Sequence, residues 1–214
     1  VAESTPAPGR CARAAASGPG AAALDVVIPT ARTFDMRSLG SPATHLLSNG
    51  QYSVMLTAAG SGYSTWNGQA LTRWREDGVC DDWGFFMFLR EPKSGKTWSA
   101  GHMPVAAAAD SYVASFTEDK AEIIRTDGYF TTTLECVVSS EDNAEARRLT
   151  IANTGLTARE VELTSYAELV LAPASSDTSH PAFSKMFVET EFVGELETLL
   201  ATRRRRTPGE PEIW

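Results

Sequence analysis

The 214-residue sequence contains no run near the roughly 20 consecutive apolar residues that cross a bilayer as a helix; its Ala-rich start is broken by Arg10, Arg13 and Pro19. It also lacks a basic face. With 19 Lys+Arg against 27 Asp+Glu the net charge is −8, and the one basic run, Arg203 to Arg206, sits near the end of the chain. Nucleic acid requires clustered cations to displace counterions, so it is excluded as a partner. Cysteine is scarce: Cys11, Cys80 and Cys136 form no C-x-x-C pair and make an odd number, which excludes a disulfide scaffold and points to free thiols in a reducing, cytoplasmic compartment. The three histidines, His45, His102 and His180, lie far apart without H-x-x-x-H spacing, so no metal site is expected. Gly60-Ser-Gly62 does not continue as G-x-G-x-x-G, and there is no G-x-S-x-G elbow or P-loop, so no nucleotide cofactor and no serine nucleophile are expected. The start at Val1 shows neither an initiator Met nor the basic region and apolar stretch of a signal peptide. The expectation is a piece of a longer polypeptide.

What is present is ordinary globular material, 43% hydrophobic and 21% charged, enough for one well-buried domain. Residues 1–24 are dominated by Ala, Pro, Gly and Ser and read as a disordered linker. From there to residue 193 short apolar runs alternate with turn residues at a period of two, which predicts strands. The predicted strands are Tyr52–Thr57, Gly84–Arg90, Tyr112–Phe116, Ala121–Arg125, Tyr129–Val138, Ala146–Ala152, Glu160–Val170 and Met186–Phe192. Asn49-Gly50 and Asp127-Gly128 supply residues that tolerate φ > 0, as hairpin turns need. In Glu160–Tyr166, Val161 and Leu163 fall on one face and Glu160 and Glu162 on the other, the pattern of a sheet buried on one side. The fold class is therefore all-β, an antiparallel sandwich over residues 25–193. Over residues 194–214 the pattern changes: Leu196, Leu199 and Leu200 at i, i+3, i+4, with glutamates early and arginines late, predict a short C-terminal helix followed by a linker.

Chemistry is densest between residues 60 and 84. Tyr63, Trp66, Arg73, Trp74, Arg75, Asp82 and Trp83 combine aromatic faces with both charge signs, which suits a sugar whose C–H face stacks on a ring while its hydroxyls pair with polar groups. The same residues also suit a core edge in which the tryptophans anchor packing and Arg73 and Arg75 pair with Glu76, Asp77, Asp81 or Asp82. Those four carboxylates could in principle supply the acid and base of a glycoside hydrolase, but closeness in sequence does not establish that geometry, and no catalytic residue is assigned.

Several blocks together carry a family pattern. His45-Leu-Leu-Ser-Asn-Gly-Gln-Tyr-Ser-Val-Met-Leu-Thr57, Gly62-Tyr-Ser-x-Trp66, Thr72-Arg-Trp-Arg-Glu-Asp77, Asp82-Trp-Gly84, Ser165-Tyr-Ala-Glu168 and His180–Phe192 resemble the start of the phosphorylase region of cyclic β-1,2-glucan synthases, over about Val27 to Trp214. Ala58 departs from the Asn common there. The resemblance implies a glycoside hydrolase family 94 architecture, in which a galactose-mutarotase-like supersandwich is joined by a helical linker to an (α/α)6 barrel. The general acid and phosphate site would lie on that barrel, beyond this chain, where phosphate attacks the anomeric carbon with inversion. The implied partners are β-glucan oligosaccharide, the barrel and a second copy in a homodimer. The implied parent is anchored at the inner membrane and faces the cytoplasm. The role implied for this segment is that of a non-catalytic accessory domain. A free-standing carbohydrate-binding module is the other reading.

Overall fold

The computed structural model describes residues 31–40, 43–77, 81–205 and 207–209. The expected linker at residues 1–24, Cys11 and Cys80 lie outside them. Among the described residues fifteen strands dominate: β1 (Arg32–Asp35), β2 (Thr44–Ser48), β3 (Tyr52–Thr57), β4 (Gly62–Trp66), β5 (Gln69–Thr72), β6 (Phe85–Arg90), β7 (Thr97–Ser99), β8 (Ser111–Phe116), β9 (Ala121–Asp127), β10 (Phe130–Val138), β11 (Glu145–Asn153), β12 (Glu162–Ala167), β13 (Leu169–Pro173), β14 (Val188–Val193) and β15 (Thr198–Arg203). Two short helices, α1 (Ala174–Ser179) and α2 (Pro181–Lys185), sit in the C-terminal part. The described residues are all-β and antiparallel, as the sequence pattern predicts, and α1 and α2 lie ahead of the helix expected from Gly194.

The strands form two five-stranded sheets, β1-β8-β9-β10-β11 and β13-β5-β4-β3-β2, a three-stranded sheet β12-β6-β7 and the hairpin β14-β15. Alternation explains the layering. Tyr52, Val54 and Leu56 of β3 and Leu47 of β2 point inward from one five-stranded sheet, and Tyr112, Ala114, Phe116, Ala121, Ile123 and Cys136 from the other, to make the main core. A second core of Leu89, Trp98, Ala100 and Phe130 lies beneath the three-stranded sheet. Each fully buried aliphatic side chain of this kind contributes about 1.5–3 kcal/mol. Ala58 is itself buried, and its carbonyl accepts a 2.6 Å hydrogen bond from the Tyr112 hydroxyl, so a small apolar side chain fits there. The turns behave as their sequences require: Gly50 has φ 93° and Gly128 φ 62°.

Two expectations need correction. The run Glu160–Val170 is not one strand. It breaks at Glu168, where the chain leaves β6 for β5, so that β12 and β13 belong to different sheets. Leu163, read as inward-facing, is half exposed because β12 is an edge strand. The helix expected from Gly194 is instead a single 3-10 turn, Gly194–Leu196, followed by β15. Pairing with β14, in which Phe192 faces Leu199 and Glu191 faces Leu200, supplies a ladder that outweighs a weak local helical pattern.

Candidate functional site

Strand alternation sorts the aromatic segment onto two faces. On β4, Tyr63 and Thr65 face outward, while Trp66 turns inward and packs against the main core. On the facing strand β5, Ala70 and Thr72 share the outer face with Tyr63 and Thr65. Helix α1 lies over this face, and a groove of about 330 Å³ opens between them. It is lined by Tyr63, Thr65, Thr72, Arg73, Trp74, Val170 and Asp177, among others. Ala70 and Val170, which pack with Ala172 in a small buried cluster, give it an apolar floor. The Tyr63 and Trp74 rings meet at a 57° tilt with centroids 5.6 Å apart, forming an aromatic wall.

The charged rim is a closed network. Arg73 is buried; its Nε donates to Asp177 Oδ2 at 2.9 Å and its Nη2 to Asp177 Oδ1 at 2.6 Å, while Nη1 donates to Glu168. The Arg73 backbone N–H donates to the Glu168 carbonyl at 2.8 Å. Arg75 Nη2 reaches Asp177 Oδ2 at 2.9 Å, Lys185 stands 3.2 Å from Glu168, and the Tyr166 hydroxyl donates to Glu168 Oε1 at 3.1 Å. Burial alone would push the Asp177 carboxyl up, but its Arg73 hydrogen bonds and the charges of Arg73, Arg75 and Lys185 outweigh that and hold it below the usual carboxylate range. Glu168 follows the same balance: burial raises it, and Lys185, Tyr166 and Arg73 bring it down. Both acids are therefore ionised anchors at neutral pH.

The remaining sequence candidates divide. Trp83 lies under Arg73, with the guanidinium 6.0 Å from its ring centroid, and its carbonyl accepts from the Gly62 N–H at 2.9 Å. Asp82 is exposed and Trp66 is on the opposite face; neither lines the groove. Asp81 is tied to Thr57, whose Oγ1 donates to its Oδ2 at 3.0 Å, and burial raises its carboxyl. Glu76 and Asp77 are exposed. Of the carboxylates considered for glycoside hydrolysis, none lines the groove. The charged partners of Arg73 are not its sequence neighbours but Asp177 and Glu168. The sequence pattern singled out none of Asp177, Glu168 and Lys185 as a partner; Glu168 and Lys185 carried a signal only as members of the Ser165–Glu168 and His180–Phe192 blocks. His45 stacks on Phe116 at 4.9 Å and His102 meets Tyr112 edge-on at 6.4 Å. No group of three or more potential metal-ligating side chains occurs among the described residues, and none of their helices is long and apolar enough to cross a membrane.

Two antiparallel five-stranded sheets and a smaller third sheet, with an aromatic groove on one outer face, make an all-β supersandwich. A family model described as the glycosyl hydrolase 94 supersandwich domain matches residues 29–214, and the chain belongs to that family. It is 46% identical over 189 residues to the cyclic beta-(1,2)-glucan synthase NdvB of Rhizobium meliloti (strain 1021). That match takes in 88% of this chain and only 7% of the relative's length.

Proposed function

We propose that the chain is a non-catalytic accessory domain of a longer polypeptide acting on β-1,2-glucan, and that its groove holds glucan beside the wall formed by Tyr63 and Trp74. The observation that carries this is the groove itself. Its floor is apolar, its wall aromatic, and its arginines and acids are already paired with one another, so the rim shapes the hollow rather than offering an unpaired acid and base. A ring face backed by fixed polar groups is the chemistry that recognises a pyranose, and about 330 Å³ falls at the small end of ligand sites. On this reading residues 25–193 are the sandwich, residues 194–214 lead toward an (α/α)6 barrel that binds phosphate and carries the general acid, and the parent is a cytoplasm-facing, membrane-anchored homodimer. Arg73, Arg75 and Trp83 position the wall. Asp82 and Trp66 contribute little to sugar contact.

Two measurements test the reading. The 214-residue chain mixed with inorganic phosphate and linear β-1,2-glucan is expected to release no glucose 1-phosphate, whereas turnover by the chain alone overturns the accessory role. Titrating β-1,2-glucan into the chain is expected to give saturable quenching of tryptophan fluorescence that Trp74→Ala abolishes. A flat wild-type titration removes the groove from sugar binding.

A further inference from the structure

The hairpin β14–β15 is anchored to the body at its base. There Arg203 Nη1 donates to the carbonyls of Val170 and Ser184, both at 3.1 Å, and the Arg204 N–H donates to the Phe187 carbonyl at 2.8 Å. Its tip carries large apolar side chains in the open: Phe192 is 64% exposed, Leu196 72% and Leu199 75%. Phe192 and Leu199 are directly opposed across the ladder, so their side chains share one face, and Leu196 lies in the turn between the strands. A two-stranded ribbon is marginal in water without something packed on it, and apolar side chains grouped this closely mark a surface that another surface covers. The charge around them is of one sign. Glu191, Glu195 and Glu197 are exposed and residues 188–202 contain no lysine or arginine, while Glu189, toward the base, lies 3.9 Å from Arg204.

Resting on the accessory-domain reading above, we propose that this tip is a docking element that inserts into an apolar hollow rimmed by lysine and arginine, on a part of the same parent polypeptide outside these 214 residues. Three observations select that occupant. The three glutamates toward the tip, Glu191, Glu195 and Glu197, fit a basic surface and repel their own copy in a tip-to-tip contact. The relative that this chain matches is far longer than the matched region, which is 7% of it, so surface from other domains is available within one chain at high effective concentration. Leucine and phenylalanine at the end of a ribbon suit a preformed hollow better than a flat sheet edge, because only the tip projects.

The test is hydrogen exchange on the full-length parent. Amides of residues 190–201 are expected to exchange at least about tenfold more slowly in the wild type than in a Phe192→Ser/Leu199→Ser variant, with the amides of β3 unchanged as a control for folding. Glu195→Lys/Glu197→Lys, which alters only exposed side chains, is expected to speed exchange of the same amides in the same direction. Equal exchange in wild type and variants overturns the proposal. So does protection that disappears on dilution in step with a fall in mass, since that makes a second copy the occupant. The readout needs neither glucan nor turnover, so a failure of glucan binding and a failure of docking are told apart.

Discussion

Arg73 and Asp177, 104 residues apart in sequence, form a two-point ion pair with both side chains buried, Nε to Oδ2 at 2.9 Å and Nη2 to Oδ1 at 2.6 Å. The pair fastens α1 to the end of β5 and so fixes the width of the groove. Removing one member of a buried pair leaves the other charged and uncompensated, which costs more than the pair itself contributes. Arg73→Ala is therefore expected to lower unfolding free energy by about 3–5 kcal/mol, measured by urea denaturation. Arg73→Lys keeps the charge but not the fork and is expected to fall between the two.

The same pair sets a pH dependence. The folded-state carboxyls of Asp177 and Glu168 lie below their ordinary values of 3.8 and 4.5, so the unfolded chain binds protons first as pH falls. Their contribution to stability is complete above the unfolded values and is lost as pH drops through the lower folded ones. Urea midpoints are expected to fall on acidification below about pH 4.5, and the Arg73→Ala/Asp177→Ala variant to show a shallower fall.

Trp66 and Trp74 are expected to separate stability from recognition. Trp66 packs against the main core, and Trp66→Ala is expected to cost about 3–5 kcal/mol of stability with glucan affinity per folded molecule unchanged. Trp74→Ala is expected to do the reverse, weakening glucan binding at least about tenfold, in line with a lost stacking contact, with a small change in the urea midpoint.

Gly62 is fixed by crowding. A Cβ at this position would lie 2.0 Å from the Met55 carbonyl oxygen, inside the ladder between β3 and β4, where no side-chain rotation relieves it. Gly62→Ala is expected to destabilise by about 3 kcal/mol and, by displacing the bond from its N–H to the Trp83 carbonyl, to shift tryptophan fluorescence as well.

Cys136 is buried in the core, and burial pushes its thiol up to about 12. Little of it is thiolate at neutral pH, and the thiolate is the reactive form. In a Cys11→Ser/Cys80→Ser background the remaining thiol is expected to react with a disulfide reagent only at the rate of unfolding. Rapid labelling of the folded protein would contradict this.

The sandwich was legible because its hairpins are local. Tyr52–Thr57 matches β3 to the residue, and Asn49-Gly50 and Asp127-Gly128 turn where their tolerance of φ > 0 places them. Period-two alternation says that a residue faces in or out but not which sheet it joins, and so the passage from β12 to β13 at Glu168 left no mark. Leu196, Leu199 and Leu200 satisfy a helical spacing, yet Thr198 and Thr202 are β-branched and the partner strand was already present at Met186–Phe192. The wall of the groove was legible as a cluster of aromatic and arginine residues. Its rim was not, because Asp177 sits in the stretch Ala174–Ser179 with nothing local to connect it to an arginine about a hundred residues earlier.

Val170 stands where two of these structures touch. The register of β13 slips between Leu169 and Ala172, and Leu171 adopts φ 52°, a left-handed backbone that is costly for leucine. The kink lets Val170 line the groove while its carbonyl accepts the Arg203 guanidinium at the foot of the hairpin. Groove and hairpin thus hang from opposite sides of one peptide, as two arms of a balance share a pivot. The residue that floors the groove is also one of the residues that hold the foot of the hairpin.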